Sequence, residues 1–115
     1  MWSVLYHPEA EPELDELPVQ ERVAVLHAAE KLAALGPDLR YPHQSEVRDG
    51  DGLRELRPRA GRSPWRAFYR RLGKAFVIAA IGPEAEVDKR GFRRAVMLAN
   101  KRLSEIEQEV TNGET

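Results

Sequence analysis

Leu53-Arg54-Glu55-Leu56-Arg57-Pro58-Arg59, Trp65-Arg66-Ala67-Phe68-Tyr69-Arg70-Arg71 and Ala75-Phe76-Val77-Ile78-Ala79-Ala80-Ile81 are three strand-like runs separated by glycine- and proline-rich turns. Pro58 to Pro64 turns the chain between the first two, with the first strand read as Leu53 to Pro58, and Leu72-Gly73-Lys74 makes the tight connection to the third. In the second run, alternation puts Arg66, Phe68 and Arg70 on one face and Trp65, Ala67, Tyr69 and Arg71 on the other. The third run is apolar on both faces, as a strand inside a sheet is. Together they predict an antiparallel meander.

Outward from the meander, the pattern changes period. From Val19 to Leu35, apolar residues recur at Val19, Val23, Leu26, Ala29 and Ala33, flanked by Val25, Leu32 and Leu35, and Gly36-Pro37 stops the helix they predict. Earlier, Ser3-Val4-Leu5-Tyr6 reads as a short strand. Pro8 and the acids Glu9, Glu11 and Glu13 then suit the positive end of a first helix, which Pro18 separates from the second. About fifteen residues join the second helix to the meander, a length that marks either a functional loop or a hidden short element. Downstream, Phe92, Val96, Ala99, Leu103, Ile106 and Val110 repeat at helical spacing. The expectation is an α+β fold, two N-terminal helices and a C-terminal helix packed on a small, mainly antiparallel sheet. One domain would span residues 1–110, with a flexible tail over 111–115. The helices are expected to cover one sheet face and leave the strand arginines on a partly open one.

The formal net charge is −1, but it is a sum of unlike parts. Residues 1–51 hold eleven acids and four bases, residues 52–94 twelve bases and four acids, and the remainder two bases and four acids. Between Gly52 and Lys74 there are eight bases and a single acid, Glu55. Cations concentrated on strand-like sequence with aromatics among them attract phosphates. Cysteine is absent, which excludes a disulfide framework and thiolate chemistry, and His7, His27 and His43 lack metal-ligand spacing. Without a membrane-length apolar run or a signal-type N-terminus, the plain reading is a cytoplasmic protein without metal or other cofactor and without a membrane partner.

The run Gly52-Leu53-Arg54-Glu55-Leu56-Arg57, the spacer, Trp65-Arg66-Ala67-Phe68-Tyr69-Arg70 and the apolar strand before a basic turn resemble the RelE/ParE superfamily, the toxins of bacterial type II toxin–antitoxin systems. The phage-related, HigB-like branch is the nearer, with its Glu-Leu-Arg and Tyr-Arg-x-Phe-Tyr strand motifs. The resemblance covers essentially the whole chain and implies the RelE-like microbial RNase fold. It also implies a ribosome-dependent mRNA endoribonuclease (an mRNA interferase) that needs no metal. Its partners would be mRNA, the ribosome and a helix-turn-helix antitoxin, with DNA reached only through the antitoxin complex. In the implied reaction a ribose 2′-oxygen attacks the adjacent phosphate and the 5′-oxygen leaves. That reaction needs phosphate charge neutralised and two protons moved.

By position the resemblance assigns the catalytic, phosphate-facing arginines to Arg66, Arg90 and Arg57. Arg66 matches the strand arginine that clamps the scissile phosphate, Arg90 a second arginine after the last strand, and Arg57 belongs to Glu-Leu-Arg. RNA contact is expected of Arg54, Arg59, Arg62, Arg70, Arg71, Lys74, Lys89 and Arg93, with Tyr69 as the aromatic that could stack on a base or handle a proton. His43, in the long loop, could serve as a general base. The chain departs from some relatives in carrying Leu53 and Glu55 where they have lysines, and Val96 near where they have a tyrosine. Those departures keep two alternatives open: a ParE-like DNA gyrase inhibitor that cuts nothing, and a degenerate toxin acting as a binding module.

Overall fold

In chain order the elements are β1 (Ser3–Tyr6), α1 (Ala10–Asp15), α2 (Val19–Leu35), β2 (Gln44–Glu46), β3 (Arg54–Leu56), β4 (Trp65–Leu72), β5 (Ala75–Pro83) and α3 (Lys89–Gly113), in a computed structural model that describes residues 1–113. One five-stranded sheet runs β1-β5-β4-β3-β2. The meander is antiparallel throughout, while β1 joins β5 in parallel, Ser3 opposite Ala75. The long loop does hide an element: β2 pairs with β3, Gln44 opposite Leu56, and forms the far edge. The α+β architecture is as the sequence predicts.

Prolines and one glycine set the N-terminal helices. Pro12 stands in the first turn of α1, where no backbone N–H is required. Pro18 is the N-cap of α2, and Gly36 ends it at φ +54°, with its α-carbon pressed against the Trp2 indole where a Cβ would not fit.

The helices do not share one face. Val25, Ala28, Ala29 and Leu32 of α2 pack with Leu56, Ala67, Tyr69, Phe76 and Ile78 on one side of the sheet. Ala95, Ala99 and Leu103 of α3 pack with Leu53, Phe68, Val77 and Ala80 on the other. The expected open sheet face is therefore largely covered, because α3 carries its own apolar stripe and lies against β5 and β4. Gly82 permits the approach: a Cβ there would come 2.5 Å from the Ala95 Cβ.

The buried face of α2 is also rotated from the expected stripe. Ala24, Val25, Ala28, Ala29 and Leu32 are buried, whereas Val19, Val23 and Leu26 are exposed. The small alanines let the helix backbone come close to the sheet, which turns the bulkier residues outward.

Between Phe68 and Tyr69 of β4 the register to β5 slips by one residue, leaving Ala79 unpaired. Arg102 of α3 uses the irregularity, donating from Nη1 to the Ala79 carbonyl at 2.8 Å and pairing with Glu13 of α1 at 2.9 Å. Glu13 in turn accepts from the Ile81 backbone N–H at 3.0 Å. One buried arginine thus ties α1, β5 and α3 together. Helix α3 continues past the expected boundary at residue 110 to Gly113, and residues 114 and 115 of the expected tail lie outside the described residues.

Candidate nucleic-acid interface

The turn between β3 and β4 carries three of the expected contacts, Arg57, Arg59 and Arg62, and its backbone is under strain. Arg59 and Ala60 hold φ of +54° and +57°, a left-handed conformation that costs a side-chain-bearing residue about 1 kcal/mol or more. Side chains fix the turn from two directions. Glu21 of α2 accepts from Arg59 Nη2 at 2.6 Å and from Ser63 Oγ at 2.8 Å. The Arg59 hydrogen bond holds the Glu21 carboxyl below its ordinary value; burial opposes it, and the Ser63 hydrogen bond and the Arg59 charge add smaller lowering effects.

From the other direction comes Arg66. Its Nη1 donates to the Ser63 and Trp65 carbonyls at 2.7 and 2.9 Å, and its Nη2 to Glu84 at 2.8 Å. Glu55 lies 3.7 Å from its Nε. The residue is 2% exposed. Burial and the neighbouring Arg57 charge push its guanidinium below the ordinary arginine value, while Glu55 and Glu84 oppose the shift. The expectation of an arginine standing on an open face is corrected: the guanidinium reaches back under the turn that precedes it, so its Nη1 and Nη2 donors are engaged within the protein, while its Nε is buried without a hydrogen-bond partner.

Arg57 separates two grooves. On the α3 side of the sheet it shares a groove of about 460 Å³ with Arg66 and Arg48, but Glu46, Glu55, Glu84 and Glu86 line the same space. Acids outnumber bases there, and Arg57 Nη1 is paired with Glu55 at 3.0 Å. On the α2 side it lines a groove of about 620 Å³ between the helix and the turn, facing Arg59, Arg62 and Lys31, with Glu30 the one acid and His27 and His43 beside them. Val23, Ala24 and Ala28 form part of the floor. Arg57 is steadied there by its Nε donating to the Pro42 carbonyl at 3.0 Å and by stacking 5.2 Å from the Tyr41 ring centre. Its Nη2 has no hydrogen-bond partner among the described residues.

A smaller recess of about 300 Å³ gathers Arg54, Arg70 and Arg71 with no acid in its lining. Arg54 donates to Gln44 at 3.2 Å, Arg71 stacks 4.7 Å from the Trp2 ring centre, and Arg70 reaches across to Asn100 and Glu107 of α3. Tyr69 borders this recess but is 2% exposed, wedged edge-on against Phe76, and burial pushes its phenol up to about 12. The expectation of a base-stacking or proton-handling tyrosine is corrected, because alternation on β4 points Tyr69 under α2. Lys74 is exposed in the β4–β5 turn. Lys89, Arg90 and Arg93 are exposed on the first turns of α3, and Arg90 lines neither groove that holds Arg57.

Sequence reasoning missed His27, Glu21 and Glu84. His27 had one usable signal, its spacing of four from both Val23 and Lys31, which places all three on one helix face. No ligating cluster of histidines and acids occurs among the described residues.

Residues 12–81, more than half of the chain, match the family described as Phage derived protein Gp49-like (DUF891). No protein of curated function matches the sequence. Among solved structures, the chain is similar to a double arginine-to-alanine mutant of the E. coli toxin RelE in the free state. The TM-score is 0.60 and the identity 14%, over 84% of this chain and 95% of that one. The shared property at that identity is the fold.

Proposed function

The chain belongs to the phage-derived Gp49-like family and has the RelE fold, and from that premise we propose that it is the toxin of a type II toxin–antitoxin pair. In this reading residues 1–110 act as one toxin domain in the cytoplasm, held inactive by a helix-turn-helix antitoxin. The activity is metal-independent endonucleolytic cleavage of mRNA, carried out on the ribosome. The observation that carries it is the groove between α2 and the β3–β4 turn, where Arg57, Arg59, Arg62 and Lys31 gather with Glu30 as the one acid of the lining, Arg59 and Arg57 being paired behind it with Glu21 and Glu55. Four guanidinium or ammonium groups around a channel of that size suit a single RNA strand. Arg57 is the phosphate contact, with a free Nη2 and a side chain already oriented by Pro42 and Tyr41. Arg54, Arg70 and Arg71 extend the cationic track along the sheet, and Arg90, Lys89, Arg93 and Lys74 add long-range attraction.

Mapping RNA 5′ ends after induction tests the reading directly. New ends within coding sequence, abolished by Arg57→Ala, are expected; the loss of one preoriented charge from a transition state is about a hundredfold or more. Absence of new ends would remove the nuclease.

A second reading has its own support. In the groove on the α3 side, Arg57 and Arg66 are already matched by Glu55 and Glu84, an arrangement that suits a binding module better than a phosphate site. Under it, induction would leave RNA intact, and loss of DNA supercoiling would mark gyrase as the target.

A further inference from the structure

Cleavage of RNA by its own 2′-oxygen moves two protons, and the arginines of the α2 groove move none, because a guanidinium keeps its proton at any physiological pH. The phenol that the sequence offered, Tyr69, is buried under α2. Glu55 is taken up by Ser45 and Arg57, and Glu84 by Arg66. Beside the cations, in the same groove, stands a pair of imidazoles approaching from different elements. His27 stands on the exposed face of α2, one turn before Lys31, and His43 lies just before β2. The backbone places His43 next to Arg57, whose N–H donates to the His43 carbonyl at 2.9 Å. Neither imidazole ring has a hydrogen-bond partner among the described residues, whereas the His7 ring accepts from the Glu9 N–H.

Resting on the nuclease reading above, we infer that His43 and His27 are the general base and general acid of this chain, acting across the α2 groove on a phosphate held by Arg57. His43, as the neutral imidazole, takes the proton of the ribose 2′-hydroxyl as the 2′-oxygen bonds to phosphorus. His27, protonated, gives its proton to the 5′-oxygen as the phosphorus–oxygen bond breaks. The products are a 2′,3′-cyclic phosphate and a 5′-hydroxyl end, so atoms and charge balance without metal or water. The groups facing the two rings are Glu30 and Lys31 from α2 and Arg57, Arg59 and Arg62 from the turn, with Glu21 engaged by Arg59.

The test uses the full chain and a short synthetic message, free and on programmed ribosomes, with the cut position mapped first. His43→Ala and His27→Ala are each expected to slow cleavage by about a hundredfold or more. Both should bind the uncleavable 2′-deoxy message within about twofold of the unaltered chain and unfold at the same temperature. A sulfur in place of the 5′-oxygen leaves without a proton, so that substrate should restore His27→Ala and leave His43→Ala slow. Cleavage by either variant within a few-fold of the unaltered chain, or a loss confined to binding, overturns the assignment. If the unaltered chain cuts neither form of the message, the nuclease reading falls and this inference falls with it.

Discussion

At the scale of single residues, burial decides which cations are available. Arg66 is engaged by two carbonyl oxygens and Glu84, so its removal leaves a buried carboxylate and backbone groups without partners. Arg66→Ala should cost about 3–5 kcal/mol of stability, read from urea unfolding. Unchanged stability with cleavage lost would instead make it a substrate contact. Tyr69 gives a complementary prediction. Its phenol is raised to about 12 in the folded chain, above the ordinary value of 10.0. The folded state therefore keeps a proton that the unfolded chain releases between those values. Its contribution to stability is full below about pH 10 and is lost as pH rises towards 12, and Tyr69→Phe should remove that part of the decline. Arg66 and Tyr69 were legible in the sequence as an alternating pair. Their fate was not, because alternation gives the face and not what covers it.

At the scale of elements, the strained β3–β4 turn depends on α2 through Glu21. Glu21→Gln should loosen the turn and displace Arg59 and Arg62, weakening RNA binding in proportion. Because partners lower the Glu21 carboxyl, the stability it contributes is present above the ordinary carboxylate range and lost as pH falls through the folded value. The stability difference between Glu21→Gln and the unaltered chain should therefore vanish in acid. Gly82→Ala should force α3 away from β5, since the new methyl would meet Ala95. The meander, α2 and α3 could all be read from periodicity and turn residues. Strand β2 could not, as Gln44-Ser45-Glu46 has no apolar pattern and owes its form to pairing with β3. The facing of α2 was misread for a related reason: alanines count little in a hydrophobic pattern but decide how closely a helix can approach.

Over the whole molecule, the separation of charge seen in the sequence becomes a separation of surfaces. Acids from α1 and α2 are partly consumed internally, Glu13 by Arg102 and Glu21 by Arg59, while the α2 groove keeps a cationic excess. Each phosphate neutralised on a single strand contributes a slope of about −0.7 in log affinity against log salt. Three to four contacts predict a total of about −2 to −3, and Arg57→Ala should flatten it by about 0.7. A salt-independent affinity would contradict the groove as the RNA path. The sequence located this charge along the chain, but the acid that cancels part of it, Glu21 on Arg59, comes from 38 positions away. The parallel pairing of β1 with β5 adds a dimension of time. Ser3 meets Ala75, 72 positions later by simple subtraction, so during synthesis the first strand has no neighbour until the last is made. At about 5–20 residues per second, that is roughly 4–14 seconds of exposure for an unpaired edge. The sheet can close only after β5 has emerged, so the parallel pair that completes it forms late in synthesis.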